Sequence, residues 1–286
     1  MTDENKSAKV ISFINMKGGV GKTTLCVSIA ECFALQGKKV LIIDADPQFN
    51  ATQTFYDTDE RIDFYLELVK KERTIRTIFK TYNTLISDDE NTTTGDLIQN
   101  ISDNLDIVLG DINIINENHS DSSQIHRIDN FIKDNHLKEK YDYILIDCPP
   151  TISIYTDASL FCSDFYILPS KIDKYSGFGT ANLVNVVKQL IRKARIAVLP
   201  LGIIYTDTPK DLLEKQKNLK NDMESKLSEM YFFNNQFHTA NDLKHSGKGN
   251  VATRYSRTID NIQNICNEVS SRIQELEREK KNESTN

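Results

Sequence analysis

No apolar run in this 286-residue chain approaches the ~18 residues that a membrane-spanning helix needs, so no span is expected. The stretch from Met1 to Lys9 is polar, and no signal peptide is expected there. Cys26, Cys32, Cys148, Cys162 and Cys266 are odd in number and contain no Cys-x-x-Cys pair. That pattern argues against a disulfide framework or a zinc site and for reduced thiols in a cytoplasmic protein. A global excess of positive charge is also missing, with 35 Lys and Arg against 41 Asp and Glu and a net charge of −6. Any nucleic-acid contact must therefore come from a local patch. There is no internal repeat, no compositional break between domains, and no helix-turn-helix pattern ahead of the first apolar run. Hydrophobic content of 39% and charged content of 27% are ordinary for a soluble globular protein. The chain reads as a single domain over 1–286, with an insertion at about 53–104 and a polar tail at about 281–286.

What is present begins with Val10-Ile11-Ser12-Phe13-Ile14, which reads as a buried strand. Asn15-Met16-Lys17-Gly18-Gly19-Val20-Gly21-Lys22-Thr23-Thr24 follows, and then a helical pattern from Thr23 to about Gln36. Strand, glycine-rich loop and helix are the context of a phosphate-binding loop. The glycines let successive N–H groups turn toward one anion, and the helix start adds its own unpaired N–H groups and dipole. Lys22 is placed to reach β- and γ-phosphates, and Thr23 supplies a hydroxyl for Mg²⁺. The ordinary pattern asks for glycine where Met16 stands. Lys17-Gly18-Gly19-Val20-Gly21-Lys22-Thr23-Thr24 instead resembles the deviant Walker A motif of the ParA/MinD ATPases. That resemblance implies that Lys17 crosses a dimer interface to the partner's nucleotide and that Lys17 to Thr24 hold ATP.

A second apolar run, Val40 to Asp44, ends in Asp44-Ala45-Asp46-Pro47-Gln48-Phe49-Asn50. Carboxylates at the C-terminal end of a parallel strand lie at the rim where ligands bind, although Asp-Pro is also an ordinary turn signal. The stretch is similar to the ParA signature Asp-x-Asp-Pro-Gln-x-Asn. By that resemblance Asp46 orients and deprotonates the attacking water, and Asp44 sits near the waters of Mg²⁺. Many members have glycine where Phe49 stands. Tyr143-Ile144-Leu145-Ile146-Asp147-Cys148-Pro149-Pro150 has the form of a Walker B strand, with Asp147 holding Mg²⁺ through water. Its Asp-x-Pro-Pro ending again resembles ParA, which places Pro149 beside the nucleotide. Cys148 reads as a small buried residue rather than a nucleophile, because no histidine is near it in sequence.

Further strands are expected at Leu105–Gly110, Phe165–Pro169, Ile196–Thr206 and, at the sheet edge, Phe232–Phe237. Helices are expected at 62–71, 75–82, 125–137, 179–192, from Pro209 to about Met230, and from Arg254 to about Lys280. The end of the Ile196–Thr206 strand lies where the family holds the adenine ring, which implicates Thr206. The last helix carries Ile259, Ile262, Ile265, Val269, Ile273 and Leu276 at helical spacing. It reads as packed on the body, with a membrane helix like that of MinD as the alternative. From His238 to Arg257, one acid faces Lys244, Lys248, Arg254 and Arg257. This stretch is either a solvated basic loop or a phosphate-contact surface for duplex DNA, and it has no interleaved aromatics to stack on bases.

The expected fold is α/β, a mostly parallel twisted sheet with helices on both faces. The resemblance to ParA covers about residues 9–275, densely at three motifs and thinly elsewhere. It implies an ATPase using ATP and Mg²⁺ that drives DNA partition, of a plasmid in the first instance. It implies an ATP-dependent homodimer, non-specific duplex DNA, and a centromere-binding ParB-like partner that stimulates hydrolysis. The protein would be cytoplasmic, and nucleoid-associated when ATP-bound, without a membrane partner. A MinD-like membrane-cycling regulator and a nucleotide switch with no DNA role are the alternatives.

Overall fold

Strands buried on both faces read as continuous apolar runs, and that is how this sheet is built. In the computed structural model, which describes residues 7–80, 94–117, 122–174, 176–238, 243 and 249–283, the strands are β1 (Lys9–Phe13), β2 (Val40–Asp44), β3 (Ile98–Ser102), β4 (Leu105–Val108), β5 (Tyr143–Asp147), β6 (Phe165–Ser170), β7 (Leu199–Thr208) and β8 (Phe237–His238). They form one eight-stranded sheet in the order β3-β4-β2-β5-β1-β6-β7-β8. Only the β3–β4 pair is antiparallel among the named strands.

Alternate side chains of each strand supply two cores, one on each face. Val10, Leu41, Ile43, Ile144 and Ile146 face one core, with helices α4 (Ile75–Phe79), α5 (Arg127–Asp134), α6 (Leu137–Lys140), α7 (Ile154–Cys162), α8 (Ser176–Ala194) and α9 (Glu214–Lys226). Ile11, Phe13, Val40, Ile42 and Leu145 face the other, with α1 (Lys22–Leu35), α2 (Asn50–Phe55), α3 (Asp59–Lys70) and α10 (Ile259–Glu283). Ile144, Leu145 and Ile146 are each 0% exposed. Burial of such side chains stabilises the fold by about 1.5–3 kcal/mol each.

Several elements differ from the sequence reading. The segment read as an insertion supplies β3, and its α3 and α4 bury Leu68, Ile75, Ile78 and Phe79 in the same two cores. Its polar loop at 88–95 falls mostly outside the described residues. The expected helix at 125–137 breaks at His136, whose φ of 52° is left-handed. The helix expected from Pro209 begins at Glu214. α10 starts at Ile259, after a 3₁₀ turn at Ala252–Arg254, and runs through Glu283 into the expected tail. Ile262, Ile265, Val269 and Ile273 of α10 are buried in the core that also holds α1, so its apolar stripe is covered by protein. No described helix is long and apolar enough to cross a membrane.

Candidate functional site

Parallel pairing of β2, β5 and β1 brings three chain segments to one rim. The register sets Asp44 opposite Asp147 on neighbouring strands, and Phe13, just before the loop, opposite Asp147. The loop is held from below. Asn15 Nδ2 donates to Pro169 O at 2.6 Å, Lys17 N donates to Asn15 Oδ1 at 2.8 Å, and the Thr206 hydroxyl donates to Val20 O. Gly19 and Gly21 have φ of 71° and 79°, a region that penalises any Cβ. Gly21 is the N-cap of α1, and no side chain caps that helix, so its first N–H groups are left for an anion.

A cleft of about 570 Å³ lies over this loop. Residues Lys17 to Thr24 line it, with Asp46, Gln48, Asn50, Gln53, Thr54, Asp57, Pro150, Gly249 and Asn250 opposite. A second cavity of about 340 Å³ flanks the loop, lined by Gly19, Gly21, Thr24, Lys171, Thr206, Asp207, Phe237, His238, Leu243 and Asn250. Thus Thr206 borders a cavity where the resemblance placed a base, and it also supports the loop. Pro149 is buried away from both cavities, and Pro150 lines the first in its place.

Lys22 is the electrostatic centre. Its Nζ is 3.2 Å from Asp147 Oδ1 and 3.8 Å from Asp46 Oδ2, with all three side chains buried. Burial disfavours the charged ammonium, but the charges of Asp147 and Asp46 outweigh it and raise the pKa. Asp46 is pushed up by burial, against the Gln48 N–H at 2.9 Å and the charge of Lys22. Asp44 Oδ2 accepts from Thr52 N and Thr52 Oγ1, both at 2.8 Å, and Thr52 Oγ1 accepts from Gly110 N at 2.8 Å. Asp44 Oδ1 and Asp147 Oδ2 are buried with no hydrogen-bond partner in the structure. Such orphaned oxygens carry a cost that a hard cation removes. With these two oxygens at neighbouring strand ends, and with the Thr23 hydroxyl at the cleft, the residues fit a divalent cation.

Asp44 is pushed up to about 8, first by burial and then by the charge of Asp147. Between the ordinary carboxylate value near 3.8 and this folded value, the folded chain holds a proton that the unfolded chain has released. By linkage, this group's contribution to stability falls as pH rises across that window and levels off above it. The melting temperature of the metal-free, nucleotide-free protein is therefore expected to decline from about pH 5.5 to about 8. Asp44→Asn should flatten that decline in a melting series, and an unchanged slope would remove Asp44 as its source.

Lys17 lies at the mouth. Its Nζ is 2.6 Å from Asp173 Oδ2 of the same chain, both side chains being partly exposed. The five cysteines are all buried and free, and burial pushes the Cys148 thiol up to about 12, as expected for an inert packing residue.

The basic stretch divides. Lys244 and Lys248 lie outside the described residues, and Arg257 is exposed. Arg254 is placed differently from the expected DNA contact. Its Nε and Nη2 donate to Glu31 Oε1 of α1 at 3.2 and 3.1 Å, and its guanidinium lies 5.6 Å from the Phe55 ring centroid. Ala252 N donates to Ser28 Oγ at 2.9 Å, and Tyr255 Oη donates to Gly249 O at 2.7 Å. These bonds strap Gly249 and Asn250 against the cleft. Nothing local in the sequence marks Asn250, because its place depends on bonds to Ser28 and Glu31, at the other end of the chain.

A family model described as an AAA domain matches residues 8–199. The sporulation initiation inhibitor protein Soj of Bacillus subtilis is 29% identical over 222 residues, covering 74% of this chain and 75% of that protein. The chromosome-partitioning ATPase Soj of Treponema pallidum is 27% identical, covering 69% of this chain and 71% of that protein. A plasmid partition protein of Borrelia burgdorferi, solved bound to AMPPNP, is 25% identical, covering 90% of this chain and 97% of that one, with a TM-score of 0.65.

Proposed function

We propose how this protein works from one premise: the chain belongs to the AAA domain family, among its ParA-type partition ATPases. In our reading it binds ATP with Mg²⁺ across the phosphate loop, dimerises, binds duplex DNA without regard to sequence, and releases it on hydrolysis. The observation that carries the reading is the convergence of Lys22 on Asp46 and Asp147, beside two partnerless carboxylate oxygens, at an uncapped helix start.

Thr23, Asp44 and Asp147 would hold Mg²⁺, which when bound neutralises β- and γ-phosphate charge. The N–H groups of the glycine loop and the start of α1 cradle the phosphates. Lys22 moves its charge from the carboxylates to the β- and γ-phosphates. Asp46, with its raised pKa, orients water and accepts its proton. Lys17 exchanges Asp173 for the nucleotide of a second copy, which makes dimerisation depend on ATP. Thr206 and its neighbours receive the base. The protein is then cytoplasmic, associated with the nucleoid in its ATP state, and stimulated by a centromere-binding ParB-like partner.

The engagement of Arg254 by Glu31 favours another place for DNA. Arg192 and Lys193, in the last turn of α8, and Arg195 just beyond it are exposed, and no carboxylate pairs with them among the described residues. We assign the phosphate contacts to this cluster. On a chain of net charge −6, one such patch is weak, and two on a dimer count as a bivalent contact. Binding should need ATP analogue rather than ADP and weaken steeply with salt. Replacing Arg192, Lys193 and Arg195 by Ala should lower affinity about equally for any duplex and reduce the salt slope by about 1 for each phosphate no longer engaged. Arg254→Ala should lower the melting temperature and leave the slope alone. A salt titration of fluorescent random-sequence DNA decides it: an unchanged slope in the triple variant moves the surface elsewhere, and equal affinity in both nucleotide states removes the dimer switch.

A further inference from the structure

We propose that Phe49 and Tyr65 are positioning residues for the turn that carries Asp46, so that α3 sets the geometry of the hydrolytic carboxylate. The inference rests on the role given to Asp46 above. Phe49 lies at φ 41°, ψ 39°, a left-handed conformation that penalises a residue with a Cβ. Something must hold it there. Its ring stacks on Tyr65 of α3, with centroids 5.6 Å apart and planes 19° from parallel. Tyr65 is fixed in turn, because its hydroxyl donates to Gly110 O at 3.1 Å and its ring meets Tyr56 edge-on at 6.3 Å.

Gly110 closes the circuit. A Cβ there would lie 2.6 Å from Phe49 Cβ and 2.9 Å from Asp44 Cγ, so the backbone at this position touches both. Its N–H supports Thr52 Oγ1, which donates to Asp44. The turn itself is short. Phe49 N donates to Asp46 O at 2.8 Å, and Gln48 N donates to Asp46 Oδ1 at 2.9 Å. Displacing Phe49 therefore loosens the turn closed at the Asp46 carbonyl and, through it, the Gln48 N–H that holds the Asp46 carboxylate. The contacts of the stacked rings are with Tyr56 and Gly110 rather than with the phosphate loop, so nucleotide affinity should change little when the stack is lost.

A merely structural role and a positioning role differ in sign for one variant. Phe49→Gly relieves the left-handed backbone and, on structure alone, is well tolerated. For positioning it is harmful, because glycine frees the turn and deletes the stack. The test uses the full chain, with phosphate release, fluorescent-nucleotide titration and melting for Phe49→Gly, Phe49→Tyr, Tyr65→Ala and the double variant Phe49→Gly/Tyr65→Ala. Phe49→Gly should lower kcat about tenfold with nucleotide Kd within about twofold and no proportionate loss of melting temperature. Phe49→Tyr, which keeps the stacked ring, should hold kcat within about twofold of the parent. The double variant should be no slower than the slower single, since both remove the same stack. A parent chain that hydrolyses ATP while Phe49→Gly keeps its kcat overturns this inference alone, and so does a double variant whose losses multiply. A parent that binds nucleotide and never releases phosphate overturns the hydrolase reading, and this inference with it.

Discussion

Asp46→Asn is expected to bind Mg-ATP at least as tightly as the parent chain and to hydrolyse it ~100-fold or more slowly. The amide matches the carboxylate in size and can still accept from Gln48 N–H, so the turn survives. What it loses is the ability to take a proton. Burial already raises the Asp46 pKa above that of an ordinary carboxylate, which brings it nearer to that of a useful base. Binding should not suffer, because removing a negative charge beside Lys22 lowers the repulsion that a triphosphate meets. Phosphate release and nucleotide titration on the same preparation separate the two effects. In the parent, turnover should rise with pH as Asp46 loses its proton, and the residual rate of Asp46→Asn should not follow that limb. Hydrolysis by Asp46→Asn at the parent rate would place the base elsewhere.

Lys22→Gln is expected to lose ~100-fold or more in Mg-ATP affinity, close to loss of binding in ordinary assays. The Lys22 side chain is 6% exposed, and its ammonium pairs with both Asp46 and Asp147. Without it, Asp44, Asp46 and Asp147 face the incoming phosphates with no fixed counter-charge. The fold should persist, because the carboxylates can relax by protonation, as the raised pKa of Asp44 already indicates. Lys22→Arg separates charge from shape, since a planar guanidinium does not replace a compact ammonium in a closed site. It should recover only part of the affinity. Calorimetric titration with Mg-ATP, beside circular dichroism of each variant, measures both. A folded Lys22→Gln with parental affinity would mean that the loop N–H groups alone hold the phosphates.

Much of the fold was legible because parallel strands covered on both faces appear as uninterrupted apolar runs. β1, β2, β5 and β6 were read almost to the residue for that reason. β3 was not, because an antiparallel edge strand is only half-covered, and Ile98-Gln99-Asn100-Ile101-Ser102 carries polar residues on both sides of its alternation. The break at His136 was missed because the apolar spacing continues past it while the backbone turns left-handed. At the site, what the sequence makes legible is local. The glycine loop, Lys22, Thr23, Asp44, Asp46 and Asp147 sit next to strand ends that the same sequence announces. Pro149 is buried at its strand end while Pro150 lines the cleft, a one-residue difference that the sequence pattern does not show.

Arg254 shows the limit most clearly. By composition it belongs to a basic loop, and in the fold its guanidinium is held by Glu31 and Phe55. Phe49 is the same case in reverse: an aromatic at a turn looks like a local irregularity until Tyr65 and Gly110 are seen against it. By itself the sequence determined the phosphate loop, the acids and their order, because turn chemistry and strand periodicity act over a few residues. Only the tertiary structure decided that Asp44 and Asp147 lie side by side and that Lys22 lies between Asp147 and Asp46. It also decided which cations are engaged inside the chain, because side-chain pairing depends on which distant backbones the sheet order brings within a few ångströms.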